Sequence, residues 1–230
     1  MEKLLTYIDL YCERTAQGLL NEPLNFFSNI AFFVAGFGAM KLIPVEEDCV
    51  DPVQRKFQQA FVAFIFAVGV GSSLFHSFAN YLTQLLDVIP IVIFVFLSLG
   101  YFVFYLLGLT LKWVLAFWVG MVSLCLVTAL TLQNPGWNGS QTYLGILVAM
   151  VLLSIAQRRL APQTFPLWWA ALCFGLSLGF RTIDERLCDS WPWGTHFMWH
   201  LLNGVLIYLI AKSCFSPAAP PRGTRELAGD

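Results

Sequence analysis

Apolar runs of the length that crosses a bilayer, about 20 residues, recur along this chain, each ended by a few polar or turn-forming positions. They fall at 25–43, 57–78, 82–107, 110–132, 141–157, 164–182 and 195–213. This pattern predicts an all-α integral membrane protein, a seven-transmembrane helix bundle filling residues 1–215. Only Gly108, Thr110 and Lys112 divide the third run from the fourth. Past 215 the pattern stops: Ser216-Pro217-Ala218-Ala219-Pro220-Pro221 and the charged residues after it offer nothing to pack, so 216–230 is read as a disordered cytoplasmic tail. At the other end, Asp9, Glu13 and Arg14 interrupt the apolar stretch that a cleavable signal peptide would need.

Composition narrows the class further. With 58% hydrophobic and 12% charged residues, including 21 Phe and 8 Trp, the chain is too apolar for a water-soluble domain of its size. A net charge of -1 without a basic patch excludes nucleic acid as a partner. Basic residues set the orientation. One side of a seven-span bundle carries Lys3, Arg14, Arg181 and Arg186; the other carries Lys41, Arg55, Lys56, Lys112, Arg158, Arg159, Lys212, Arg222 and Arg225. The N-terminus is therefore expected outside, in a periplasm or organelle lumen, and the C-terminus in the cytosol.

On that topology the few polar side chains within the spans share one depth. The chain has three histidines. His196 and His200, at i and i+4, stack on one helix face, and the seventh span begins on the outer side. His76 closes the second span on the same side. Asp87 lies about 7 Å below the outer end of the third span at 1.5 Å per residue, and Ser72 precedes His76 by one helical turn. Three neutral imidazoles suit a zinc ion with an open fourth position for water. A carboxylate such as Asp87 could then act as general base, and a hydroxyl such as Ser72 could donate to an oxyanion. The six cysteines lack CxxC spacing, which argues against a thiolate zinc site.

The N-terminal segment has its own cluster. Asp9, Glu13 and Glu22 precede or open the first span, and three carboxylates with turn carbonyls suit a hard cation such as calcium. A solvated lead-in helix with ordinary capping is the other reading of the same residues. Cys12 and Cys188 both fall on the outer side, where oxidation is possible. Bridged, they would tie the N-terminal segment to the loop before His196; two free thiols are the alternative.

Taken in order, Tyr11-Cys12-Glu13, Glu22-Pro23-Leu24-Asn25 with Ser28-Asn29, Ser72-Ser73-Leu74-Phe75-His76 with Asp87 eleven residues on, and His196-Phe197-Met198-Trp199-His200 resemble the alkaline ceramidase family over nearly the whole chain. The resemblance implies a membrane amidase, a hydrolase of lipid and sphingolipid metabolism that cleaves the N-acyl bond of ceramide or a related lipid amide to give sphingoid base and fatty acid. It implies zinc on His76, His196 and His200, Asp87 as proton acceptor and Ser72 as the group steadying the oxyanion. It further implies calcium on Asp9, Glu13 and Glu22 with a backbone carbonyl of Leu10 or Tyr11, and a disulfide between Cys12 and Cys188. The chain departs from the family pattern where Leu10 separates Asp9 from Tyr11, where Thr15 replaces an asparagine, and in the shorter spacing from Glu13 to Glu22. A rival from another class is a receptor-like or scaffold protein, related to the progestin and adiponectin receptors, whose zinc is structural. Its discriminator is whether Asp87 matters for lipid turnover.

Overall fold

A computed structural model describes residues 2–44 and 52–215; the tail expected at 216–230 lies outside the described residues. The architecture is all-helical. Helix α1, Pro23–Met40, has a break at Asn29. The others are α2 (Pro52–Phe78), α3 (Tyr81–Leu106), α4 (Leu111–Thr131), α5 (Ser140–Leu160), α6 (Trp168–Leu187) and α7 (His196–Phe215). Six of these seven are long and apolar enough to cross a membrane. The exception is α6, which has the length but carries Arg181, Asp184, Glu185 and Arg186 in its last two turns.

Helix boundaries follow local chemistry. Pro23 opens α1 at a position where its missing N–H costs nothing. Between α3 and α4 the chain passes through Gly108 at φ 67°, a left-handed conformation that ends the helix. The reversal between α2 and α3 is tighter. Asn80 and Thr83 form a reciprocal capping box, in which the Thr83 N–H donates to Asn80 Oδ1 at 3.0 Å and the Asn80 N–H donates to Thr83 Oγ1 at 3.2 Å. With so short a connection, α2 and α3 must pack as antiparallel neighbours.

Packing places α7 inside the bundle, against α6 on one side and α1 on another, while α2 runs along α3. In contrast, α4 buries only Val114 and Met121 and exposes Leu111, Trp113, Val119, Leu126 and Leu130. An apolar, outward-facing surface on a helix whose backbone is internally hydrogen-bonded is what acyl chains tolerate. After a short 3-10 helix, Glu2–Leu5, the N-terminal segment lies across the α2–α3 reversal, where the Ile8 N–H donates to the Ala79 carbonyl at 2.8 Å.

One contact governs how close α2 and α3 come. A Cβ placed on Gly71 would stand 2.1 Å from the Leu86 carbonyl oxygen, so only glycine permits this approach, in the manner of small residues at membrane helix interfaces. Gly71 precedes Ser72, and Leu86 precedes Asp87. The tight crossing therefore brings Ser72 and Asp87 together. Gly71→Ala should push the helices apart and cost about 1–3 kcal/mol of stability, read as a lowered thermal midpoint in detergent. Gly120→Ala, where a Cβ would meet nothing within 4 Å, should hold the midpoint or raise it, since Ala suits a helix interior better than Gly.

Candidate metal centre and cavity

The three histidines converge. His76, at the end of α2, is fully buried, and His196 and His200, in the first two turns of α7, are nearly so. The ring centroids of His200 lie 4.7 Å from those of both His76 and His196, and potential ligand atoms of all three fall within 4.8 Å of one another. Among the described residues this is the group of histidine, cysteine and acidic side chains that could hold a metal ion.

The second nitrogen of each ring decides what the first can do. His76 Nδ1 lies 2.6 Å from Glu22 Oε2. Burial pushes the Glu22 carboxyl up, but hydrogen bonds from His76, Arg14 and Asn25 outweigh it and hold the group below its ordinary value. An ionised carboxylate can only accept, so the proton of His76 sits on Nδ1. His200 Nδ1 lies 2.8 Å from Ser28 Oγ, whose own hydrogen is donated to the Asn25 carbonyl at 2.9 Å. That oxygen must accept, which places the His200 proton on Nδ1 as well. With both rings neutral the two Nε2 atoms are lone-pair acceptors, yet they face each other at 3.1 Å.

Two lone pairs at that distance repel unless a cation lies between them. Two nitrogens each about 2.0–2.1 Å from a tetrahedral zinc stand about 3.3 Å apart, close to the spacing found. His196 adds a buried Nδ1 with no hydrogen-bond partner, and Tyr11 stacks on its ring at 3.7 Å. The donor set therefore fits a bound metal ion of the zinc type, with Glu22 and Ser28 in the supporting role that ligand histidines require.

Position is enforced from outside the cluster by Asp184, a buried residue of α6. Its Oδ1 accepts from the backbone N–H groups of Thr195 and His196, the latter at 2.9 Å, and its Oδ2 accepts from the Cys12 N–H at 3.3 Å. One carboxylate thus caps α7 and meets the positive end of its dipole. Gly194, at φ 60°, leads into α7, and any Cβ there would stand 2.2 Å from Asp184 Oδ1. Cys12 and Cys188 form a disulfide that holds the N-terminal segment beside this cap.

Ser72 and Asp87 line a cavity of about 190 Å³ together with His196 and His200. The Ser72 hydroxyl donates to Asp87, while Asp87 Oδ1 has no partner. Arg181 stands at the same end, its guanidinium 5.5 Å from the Tyr143 ring centre and 5.3 Å from that of Trp199, with Nε unpartnered. It donates to the Tyr11 hydroxyl at 3.3 Å. Burial pushes that phenol up to about 12, against the opposing pull of Arg181, so Tyr11 is a neutral group at physiological pH. From this polar end the cavity continues between α3 and α7 past Ile91, Val95, Leu99, Leu206 and Ile210, an apolar slot with one polar mouth.

The N-terminal acidic residues are arranged differently from the histidines. Asp9 is exposed and receives only a long hydrogen bond, 3.4 Å, from the Tyr7 hydroxyl. Glu13 accepts from the N–H groups of Leu24 and Asn25 at 2.6 and 2.8 Å, and so caps α1. Burial raises its carboxyl, with those two N–H groups opposing. Glu22 is committed to His76, Arg14 and Asn25.

A protein-family model described as Ceramidase matches residues 8–215. No curated protein matches the chain. Replacing Asp184 by Ala should leave one buried and two part-buried N–H groups without this acceptor, at a cost of about 1–3 kcal/mol. Asp184→Asn, which keeps one acceptor oxygen, should lose less, and thermal unfolding of the purified variants in detergent measures both.

Proposed function

The chain belongs to the ceramidase family, and we propose that it hydrolyses the N-acyl amide bond of ceramide or a related lipid amide at a zinc ion held by His76, His196 and His200. Family membership makes it a hydrolase with a lipid substrate, and six apolar helices make it a multi-pass membrane protein. The finer reading has all seven helices crossing the bilayer, with the N-terminus outside, the C-terminus cytosolic and the metal centre toward the outer leaflet. The observation that carries it is the meeting of a three-imidazole cluster, an unpartnered carboxylate oxygen and a hydroxyl at the polar mouth of an otherwise apolar slot.

Zinc, when bound, supplies a Lewis acid that polarises the scissile carbonyl and acidifies water. Asp87 accepts the proton released from the attacking water through its free Oδ1 and delivers it to the nitrogen of the leaving amine. Ser72 begins as a donor to Asp87. Once Asp87 carries a proton, their hydrogen bond can reverse, and the Ser72 hydrogen turns to the oxygen that gains negative charge. The acyl chain occupies the slot along α3 from Asp87 to Leu99, about 18 Å at 1.5 Å per residue, where Ile91 and Val95 exclude water from it.

Purified protein with one zinc per chain that cleaves ceramide supports this reading; the same zinc with no lipid amide cleaved favours a structural metal in a receptor-like protein. His200→Ala should lose bound zinc and hydrolysis together, as measured by metal analysis and product mass spectrometry, and turnover retained without metal would contradict the assignment. Asp87→Asn should keep its zinc while kcat falls by about 10²–10⁴.

A further inference from the structure

The residues implied as calcium ligands do not fit a calcium ion, because a side chain already supplies positive charge there. Arg14 is 4% exposed, and its guanidinium sits against Glu22, with Nε donating to Glu22 Oε1. One terminal nitrogen donates to the His76 carbonyl at 2.9 Å, and the other reaches the carbonyls of Ala16 and Gly18 at 3.4 Å each. The Tyr7 ring centre lies 5.9 Å from the guanidinium carbon. A carboxylate and three backbone carbonyls are the hard oxygen donors that calcium selects, and here all four point at a guanidinium.

The remaining acidic groups offer no second place. Asp9 is exposed, and both oxygens of Glu13 are taken by the N–H groups that open α1. Two buried amide oxygens, Asn25 Oδ1 and Asn29 Oδ1, lack partners, but they are neutral and bring no charge to hold a dication beside a guanidinium. Like charges a few ångströms apart in a buried site repel strongly.

We infer that Arg14 is a built-in cation standing in the place of calcium, and that through Glu22 it positions His76 for its metal. Arg14 holds one carboxylate oxygen of Glu22, and His76 Nδ1 holds the other. Arg14 also grips the His76 backbone. The ligand is therefore fixed at ring and main chain by the same side chain, directly and through one carboxylate. A guanidinium always carries its charge and presents a planar fork, so this anchor needs no ion from solution. Its positioning half rests on the zinc reading above; its calcium half does not.

The test uses full-length protein purified in calcium-free buffer with its zinc in place. As calcium chloride is raised to the millimolar range, bound calcium measured by mass spectrometry should stay at background and the thermal midpoint should not move. One calcium per chain with a rise in the midpoint would overturn the inference, whatever the protein does to ceramide. In competition with a zinc chelator, Arg14→Leu should weaken zinc binding by about 10–100-fold, the range for lost outer-shell partners of metal ligands. Arg14→Lys, which keeps the charge but not the fork, should recover part of that loss. Unchanged zinc affinity in a folded Arg14→Leu protein would overturn the positioning role.

Discussion

The site depends on two protons being held away from it. Glu22 keeps the hydrogen of His76 on Nδ1, and Ser28, by giving its own hydrogen to a helix carbonyl, keeps that of His200 on Nδ1. With both rings neutral, neither Nε2 can donate to the other at 3.1 Å, so the pair calls for positive charge between the rings. The fold meets this demand by burying the partners as completely as the ligands. Glu22 is 1% exposed, and a carboxylate so deep persists because His76, Arg14 and Asn25 all hydrogen-bond to its charged form.

That constraint links segments far apart in sequence. The N-terminal segment brings Arg14 and Glu22 to α2, and the broken start of α1 brings Ser28 to α7. Asp184 ties the end of α6 to the start of α7 and to Cys12, whose disulfide to Cys188 closes the same junction. The α2–α3 crossing at Gly71 supplies Ser72 and Asp87. Each anchor lies at the histidine end of the bundle, and the slot beyond it is lined mostly by aliphatic and Phe side chains. A rigid polar layer above an apolar cleft suits chemistry on the head of a lipid whose chain lies below.

The grouping of the three histidines follows from local geometry that the sequence carries. An i, i+4 pair sets two imidazoles on one helix face, and a connection as short as the one at Asn80 fixes which helices are neighbours. Asp87 stood out as a carboxylate within an apolar run, and the structure sets it on the cavity with Ser72. What escaped has partners distant in sequence. In the sequence Arg14 and Arg181 bear on membrane orientation, and Arg14 on the lack of a signal-peptide run, whereas in the fold both lie against aromatic rings and hydrogen-bond partners. Asp184 sits in a charged stretch, Arg181 to Arg186, twelve residues before His196, and its role as a cap appears only once α6 and α7 are packed. Asp9 is a carboxylate like Glu13 and Glu22, but only those two turn inward. Spacing alone does not tell an acid that caps a helix from one that would bind an ion.

The central claim concerns what lies between the imidazoles, and zinc-edge X-ray absorption on the purified protein tests it most directly. The expected spectrum is that of zinc with three imidazole nitrogens and one oxygen at about 2.0–2.1 Å. Sulfur scattering near 2.3 Å, the distance of a thiolate ligand, or fewer than three imidazoles in the shell would contradict it.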